Sequence, residues 1–360
     1  MSSDNQISMQ DKYTSTGTKF WQHRLQMETY RRGGCHTIIS THVSPTSQCN
    51  LHCSYCSVWK REQHLEIPLE TIQEYLLTLK GYGLQAVILT GGGEPLLYSQ
   101  IAELMPWILE QELKLALITN GTVDRDDIPE EVWEKLSWIR VSVNLEQSRA
   151  VRDDMSDYVD YYGKVDEHTC TLGASWIVQN ASKVSTATMK RMIALVDALG
   201  WQYVRMLPDC LLSSEDLVKE HNALDKLLVR FSSQFGEERF FHQNKKKQAP
   251  LAETCHQAYF RPYLSEQVFV GNGLPGTVYP CDSVVLNGDK PAGRFETMYQ
   301  ICHASEVARF LERKIPMPIK PQLDCPGCVF THTVEMLDGW LCSDGVQPYS
   351  TEEIMHEDFV

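Results

Sequence analysis

CNLHCSYC at residues 49–56 and TGGGEPLL at residues 90–97 decide how this chain is read. Cys49, Cys53 and Cys56 follow the spacing C-x3-C-x2-C. Three thiolates so spaced can ligate three irons of a cubane 4Fe-4S cluster and leave the fourth iron without a protein ligand. An open iron beside a glycine-rich turn is a place for a small cofactor to bind and react. Glycine lets the backbone approach such a cofactor closely, and a carbonyl or the Glu94 carboxylate can accept a hydrogen bond from an ammonium.

Outward from these motifs, apolar β-rich runs alternate with helical patterns, the signature of repeated βα units. The runs over 37–43, 86–89, 115–119, 139–143, 173–178 and 203–207 predict six strands. Helices are expected over 101–113, 130–136 and 188–199, and another after Pro68, where Leu69, Ile72, Leu76 and Leu79 form an apolar stripe. Six such units are too few to close an eight-stranded barrel, so the predicted fold is α/β, a partial (βα)6 TIM-like barrel. Reactive groups in such folds sit at the C-terminal ends of the strands. The cysteine run follows the first strand and Gly91-Gly92-Gly93-Glu94 the second. Polar strand ends at Asn120, and at Ser142 and Asn144, point to the same face.

The predicted organisation is a polar leader over 1–35, a core over 36–210, a helical linker over 211–250 with a helix at 213–231, a small irregular domain over 251–345 and an acidic tail over 346–360. The 251–345 stretch is rich in Cys, Gly and Pro, with short strand-like pieces at 267–270 and 277–279. Such a region needs a staple, and a metal cluster is the natural one.

Composition narrows the function classes. The hydrophobic share of 42% and charged share of 22% are ordinary for a globular protein. No apolar run reaches the length of a membrane span, and the first residues lack the order of a secretory signal. The expected location is cytoplasmic, with no membrane partner. A net charge of -14 argues against non-specific nucleic-acid binding. The basic run at Lys245, Lys246 and Lys247 reads as a solvated loop. Twelve cysteines without a secretion signal point to metal or redox chemistry rather than disulfides.

Taken together, CNLHCSYC and GGGEP on successive strand ends resemble the radical S-adenosylmethionine (radical SAM) superfamily over residues 36–210. The resemblance implies that Cys49, Cys53 and Cys56 hold a 4Fe-4S cluster whose open iron chelates S-adenosylmethionine. It implies further contacts to that cofactor from Tyr55 at the adenine and from Gly92, Gly93 and Glu94 at the methionyl amino group. Asn120, Ser142, Asn144 and Arg152 would serve its carboxylate or ribose. Tyr55 also suits a core aromatic, and the polar strand ends also suit helix caps. The implied chemistry is one-electron cleavage of the cofactor to a 5′-deoxyadenosyl radical, which takes a hydrogen atom from substrate. An electron donor such as flavodoxin or ferredoxin is implied too.

Cys255, Cys281, Cys325 and Cys328, spaced C-x25-C-x43-C-x2-C, resemble the twitch domain, a shortened relative of the SPASM domain. That likeness implies a second, auxiliary 4Fe-4S cluster with no open iron. Zinc is the alternative for four such cysteines, and Cys342 is an alternative fourth ligand. Cys35, Cys170, Cys210 and Cys302 read as packed thiols, and His52 as a surface or supporting residue. His256 and Asp282 flank auxiliary ligands and suit either the cavity or support of the cluster. Arg205 suits an anionic substrate or an ion pair.

Three substrate classes remain open: a small biosynthetic molecule that is oxidised or rearranged, a peptide, or a modified nucleoside. No side chain is assigned as catalytic. A non-enzymatic electron carrier or sensor would account for the cysteines but gives no reason for the GGGEP turn.

Overall fold

The computed structural model describes residues 8–58, 62–143, 158–166, 168–209, 211–243, 251–282, 297–325, 328, 330–342 and 354–360. Three short helices come first: α1 (Met9–Tyr13), α2 (Gly17–Phe20) and α3 (Arg24–Arg31). They are not a loose leader. Phe20 and Met27 are fully buried in the main core, because an apolar residue recurs on one side of each short helix among the polar ones.

Six parallel strands then follow in chain order: β1 (Ser40–Val43), β2 (Ala86–Leu89), β3 (Lys114–Thr119), β4 (Trp138–Val143), β5 (Thr171–Val178) and β6 (Tyr203–Pro208). Each pairs in parallel with the next. Parallel neighbours need crossovers, supplied here by helices on the outer face. Among them are α4 (Leu69–Gly81), α5 (Ile101–Glu110), α6 (Glu130–Glu134) and α7 (Thr186–Ala198). Leu69, Ile72, Leu76 and Leu79 are all buried on α4, the stripe that the sequence sets at helical spacing. This is the expected α/β partial barrel.

The sheet is larger than six strands. Helix α8 (Ser214–Phe235) ends at Gly236, whose φ of 64° needs the freedom of glycine. The chain then enters β7 (Phe240–His242), which pairs in parallel with β6. A three-residue strand behind a polar stretch carries too little pattern to be read in advance. On the opposite edge β8 (Tyr263–Val268) pairs in parallel with β1, and β9 (Pro275–Tyr279) and β10 (Cys302–His303) continue antiparallel from it. The strand-like piece expected at 277–279 is therefore part of the barrel's own sheet, and of the piece expected at 267–270 only the first two residues are, because β8 starts earlier and ends at Val268; the sheet order runs β10-β9-β8-β1-β2-β3-β4-β5-β6-β7.

The last described residues are not a free tail. Phe359 is buried with Ala86, Ile88, Ala116 and Trp138, inward-facing residues at the N-terminal end of the sheet. Its ring meets Trp138 edge-on at 5.4 Å. On the other side of the same end, Tyr13 of α1 stacks on Tyr203 at 4.3 Å. The acidic letters around Phe359 hide this role in the sequence: Asp358 is itself buried and paired with Lys114. One end of the barrel is thus plugged by aromatic residues, and chemistry is left to the other.

Candidate active site

The strands alternate, so inward positions can be followed along each of them. On β4 these are Trp138, Arg140 and Ser142: plug, cation, then wall. A cavity of about 430 Å³ opens above the plug, within the range of small-molecule sites. Cys49, Cys53, Cys56, Tyr55 and Gly91 to Gly93 line its mouth, with Asn120 and Ser142 on the wall. The two opening motifs therefore meet at one cavity, at the C-terminal strand ends.

The mouth is built largely by backbone. The amide of Gly92 donates to Ser44 Oγ at 2.6 Å, and that of Gly93 to the Thr46 carbonyl at 3.0 Å. A β-carbon on Gly93 would stand 2.0 Å from the Gln48 carbonyl oxygen, so only glycine fits against the cysteine loop here. In that loop the Cys56 amide donates to the Cys53 carbonyl at 3.0 Å, and the Leu51 amide to Cys49 Sγ at 3.5 Å. Asn120 Nδ2 donates to Asn50 Oδ1 at 2.8 Å and reaches Cys49 Sγ at 3.9 Å. The end of β3 is thereby tied to the thiols. Burial, then the neighbouring Cys53, hold the Tyr55 phenol well above its ordinary range, so it stays neutral beside the sulfurs.

Glu94 does not face the cavity. Its carboxylate accepts from Thr119 Oγ1 at 2.7 Å, from the Asn120 amide at 2.7 Å and from the Leu96 amide at 3.2 Å. Burial raises its pKa to about 7 while these three donors pull it down. The carboxylate fastens the glycine turn to the end of β3, and acceptors for an ammonium at this turn come from backbone.

Cys255, Cys281, Cys325 and Cys328 gather at one apolar cluster with Tyr263, Tyr279 and Phe330, and Cys56 borders the same cluster. Burial pushes the Cys255 thiol up to about 12. Burial also pushes the Cys281 thiol well above its ordinary range, with Asp282, Cys255, Cys328 and Cys325 adding to the effect. Thiols so placed shed their protons readily only to a metal or cluster. Among the described residues no three His, Cys, Asp or Glu side chains are grouped to hold a single metal ion. Cys342 is exposed at the end of α11 (Thr331–Cys342), outside this gathering; helices α9 (Val307–Leu311) and α10 (Pro321–Asp324) precede it. Cys170 and Cys302 are buried thiols, as their isolation suggested, and Cys35 is half-buried.

Asn144, Arg152, Cys210 and the lysines at 245–247 lie outside the described residues. His52 lines the cavity. His256 does not: its ring meets the Tyr30 hydroxyl at 2.8 Å and Asp338 at 3.6 Å, behind the cysteine cluster. Asp282 does line it, 3.5 Å from His42 and 3.7 Å from Arg261. Four cavity residues, His42, Arg140, Gln243 and Arg261, were not singled out in the sequence. For Arg140 and His42 the signal was there: a charged or polar residue at the inward positions of an otherwise apolar strand.

Residues 43–161 match the family model described as Radical SAM superfamily. Over those residues the chain is similar to the radical SAM superfamily. Two curated radical SAM relatives share parts of this chain. One is 7-carboxy-7-deazaguanine synthase of Clostridium acetobutylicum, 40% identical over 81 residues, which cover 22% of this chain and 36% of that protein. The other is S-adenosylmethionine-dependent nucleotide dehydratase of Selenomonas ruminantium, 30% identical over 108 residues, 29% of this chain and 38% of that protein. The matched part is little more than a third of either relative's length. Among solved structures, Streptococcus suis SuiB bound to precursor peptide SuiA superposes with a TM-score of 0.50 at 15% identity. That match covers 80% of this chain and 69% of SuiB, and it shows the shared fold. Radical SAM proteins use S-adenosylmethionine and a 4Fe-4S cluster. Among the described residues no helix is long and apolar enough to cross a membrane.

Proposed function

We propose that this protein is a radical SAM enzyme that cleaves S-adenosylmethionine reductively and removes a hydrogen atom from a small biosynthetic molecule, oxidising or rearranging it. The observation that carries this reading is the shared cavity: Cys49, Cys53 and Cys56 open into the same space as the Gly91–Gly93 backbone. The three thiols are the proposed ligands of three irons of a cubane, and the glycine backbone is proposed to take the polar end of an amino acid held beside it. When bound, cluster and cofactor supply the radical that attacks an unactivated C–H bond.

The chain's own residues do the rest. Asn120 steadies the Cys49 side of the loop, Glu94 fixes the glycine turn, and Tyr55 offers a neutral aromatic face to an adenine. The aromatic plug at the far end closes the barrel, so that a target carbon is held in a confined space away from bulk water. Cys255, Cys281, Cys325 and Cys328 are proposed to saturate an auxiliary 4Fe-4S cluster. Its border with Cys56 suits electron exchange between the two sites. The electron for cofactor cleavage is proposed to come from a flavodoxin or ferredoxin, and the protein to act in the cytoplasm.

Anaerobic reconstitution with iron and sulfide, reduction, and incubation with S-adenosylmethionine test the proposal. The expected result is 5′-deoxyadenosine and methionine in equal amounts. Iron-loaded, reduced protein that yields neither product contradicts it.

A further inference from the structure

The deep end of the cavity is chemically unlike its mouth. Among the described lining residues there are three arginines, Arg140, Arg205 and Arg261, and one carboxylate, Asp282. That positive balance stands inside a protein whose net charge is -14. Asp282 lies by His42 and Arg261 and also acts on Arg205 from further off, so one carboxylate stands against three guanidiniums.

Arg205 on β6 is the centre of this wall. Its Nε donates to Ser175 Oγ at 2.8 Å, the residue directly across the β5–β6 ladder. It makes no other hydrogen bond or ion pair among the described residues, so both terminal nitrogens of its fork are left for a ligand. Burial, and then the like charge of Arg140, depress it to about 9. A guanidinium held out of water without a carboxylate is costly unless an anion joins it. Arg140 is better tied, with Nε on the Tyr203 hydroxyl at 3.0 Å and Nη2 on the Tyr13 carbonyl at 2.6 Å.

Two further groups at the same wall lack partners. His42 Nε2 and Gln243 Oε1 are buried and make no hydrogen bond, and both residues line the cavity. His42 is 6% exposed and Gln243 2%. Buried polar atoms are rarely left unpaired. Two of them facing one cavity beside a half-used arginine mark a place prepared for a ligand with several polar atoms.

We infer that this deep wall is an oxyanion site, and that the substrate carries a carboxylate or phosphate that sits on the Arg205 fork and, beside it, a hydroxyl or amino group that donates to His42 Nε2 and Gln243 Oε1. The inference rests on the reading of the cavity as a radical SAM active site and narrows its substrate to an anionic small molecule. Arg205 is proposed as a substrate-anchoring residue that holds the molecule by its charged end and turns the rest toward the cysteine loop. A planar fork suits either oxyanion, so the two sources are separated by experiment.

The test uses the reconstituted holoenzyme with both clusters and saturating S-adenosylmethionine. Succinate and inorganic phosphate are titrated separately by calorimetry. At least one is expected to bind with a dissociation constant of about 1 mM or tighter, and the tighter one names the anion class. Arg205→Met is expected to weaken binding at least about tenfold, the scale of a lost charge-assisted hydrogen bond. Arg239→Met, which removes a surface arginine paired with Glu237 and Asp197, is expected to leave it unchanged. If Arg205→Met does not fold, Arg205→Gln replaces it, with an expected loss of at least about tenfold. Failure of both probes to bind overturns the inference, as does equal binding by wild type and variant. A probe that binds only when S-adenosylmethionine is left out overturns it too, because the wall would then serve the cofactor. Formation of 5′-deoxyadenosine is scored separately: anion binding without it sinks only the functional reading, and its formation without anion binding sinks only this inference.

Discussion

Cys49, Cys53 and Cys56 come from one short loop, whereas Cys255, Cys281, Cys325 and Cys328 are drawn from segments spread over 255–328. The loop trio lines the cavity and is steadied by backbone amides and by Asn120. The distant four sit at an apolar cluster that also holds Tyr263, Tyr279 and Phe330. A ligand set made by local sequence can stay open on one side, since the rest of the fold holds the loop in place. One made by tertiary assembly is closed by the packing that brings it together, and metal binding there is folding free energy. On the proposed reading the first group serves chemistry and the second ties together the segments that follow β7.

Substitutions separate these two roles. Cys53→Ala is expected to lower 5′-deoxyadenosine formation by at least about a thousandfold and to remove about four irons per chain, with little change in melting temperature. Cys281→Ala is expected to do the reverse: the loop cluster persists by electron paramagnetic resonance, while the melting temperature falls by about 5–10 °C. If both variants lose both signals together, the two sites are one cooperative unit and the comparison fails.

Next in size is Gly93→Ala. The added β-carbon would press on the Gln48 carbonyl at 2.0 Å, so the turn must leave the cysteine loop. S-adenosylmethionine affinity, measured by equilibrium dialysis, is expected to drop about thirtyfold or more. An unchanged affinity would mean that the cofactor does not use this turn.

Glu94→Gln acts through the same turn but gently. It replaces a carboxylate that accepts from Thr119, Asn120 and Leu96 with a group that can accept on one side only. Denaturant unfolding is expected to show a loss of about 1.5–3 kcal/mol. A smaller loss would mean that burial of the charge nearly cancels its hydrogen bonds.

The plugged end supplies a pH test. Burial depresses the His356 imidazole to about 3, and its Nε2 meets Thr171 Oγ1 at 2.8 Å. The folded protein therefore holds it neutral, while the unfolded chain takes up a proton near pH 6.5. Its contribution is fully present above pH 6.5 and is lost as pH falls toward 3, with a slope of at most about 1.4 kcal/mol per pH unit. His356→Asn, which tolerates the φ of 56° at this position, is expected to flatten that part of the stability curve. A curve identical to wild type would place the acid sensitivity elsewhere.

What the sequence could announce was whatever is encoded within a few residues of itself. The cysteine loop, the glycine turn and the α4 stripe are local patterns, and each stands where expected. Strand β7 is only three residues long, and β8 finds its partner β1 more than two hundred residues away in the chain, so neither carries enough local signal. Phe359 plugs the barrel from within a run of acidic letters. Arg140, Arg205 and His42 each look like an interruption in an apolar strand until neighbouring strands set their inward faces side by side. The anion wall is a property of register, and register is not written in any one strand.

The most direct test of the central claim is Mössbauer spectroscopy of 57Fe-reconstituted protein before and after addition of S-adenosylmethionine, compared in wild type and Cys281→Ala. In both proteins the signal of one iron in a single cubane should change as the cofactor binds, since the trio of thiols leaves that iron to it. Spectra in which every iron is unaffected by the cofactor, or protein that retains no cubane on the Cys49, Cys53 and Cys56 loop, would contradict the account.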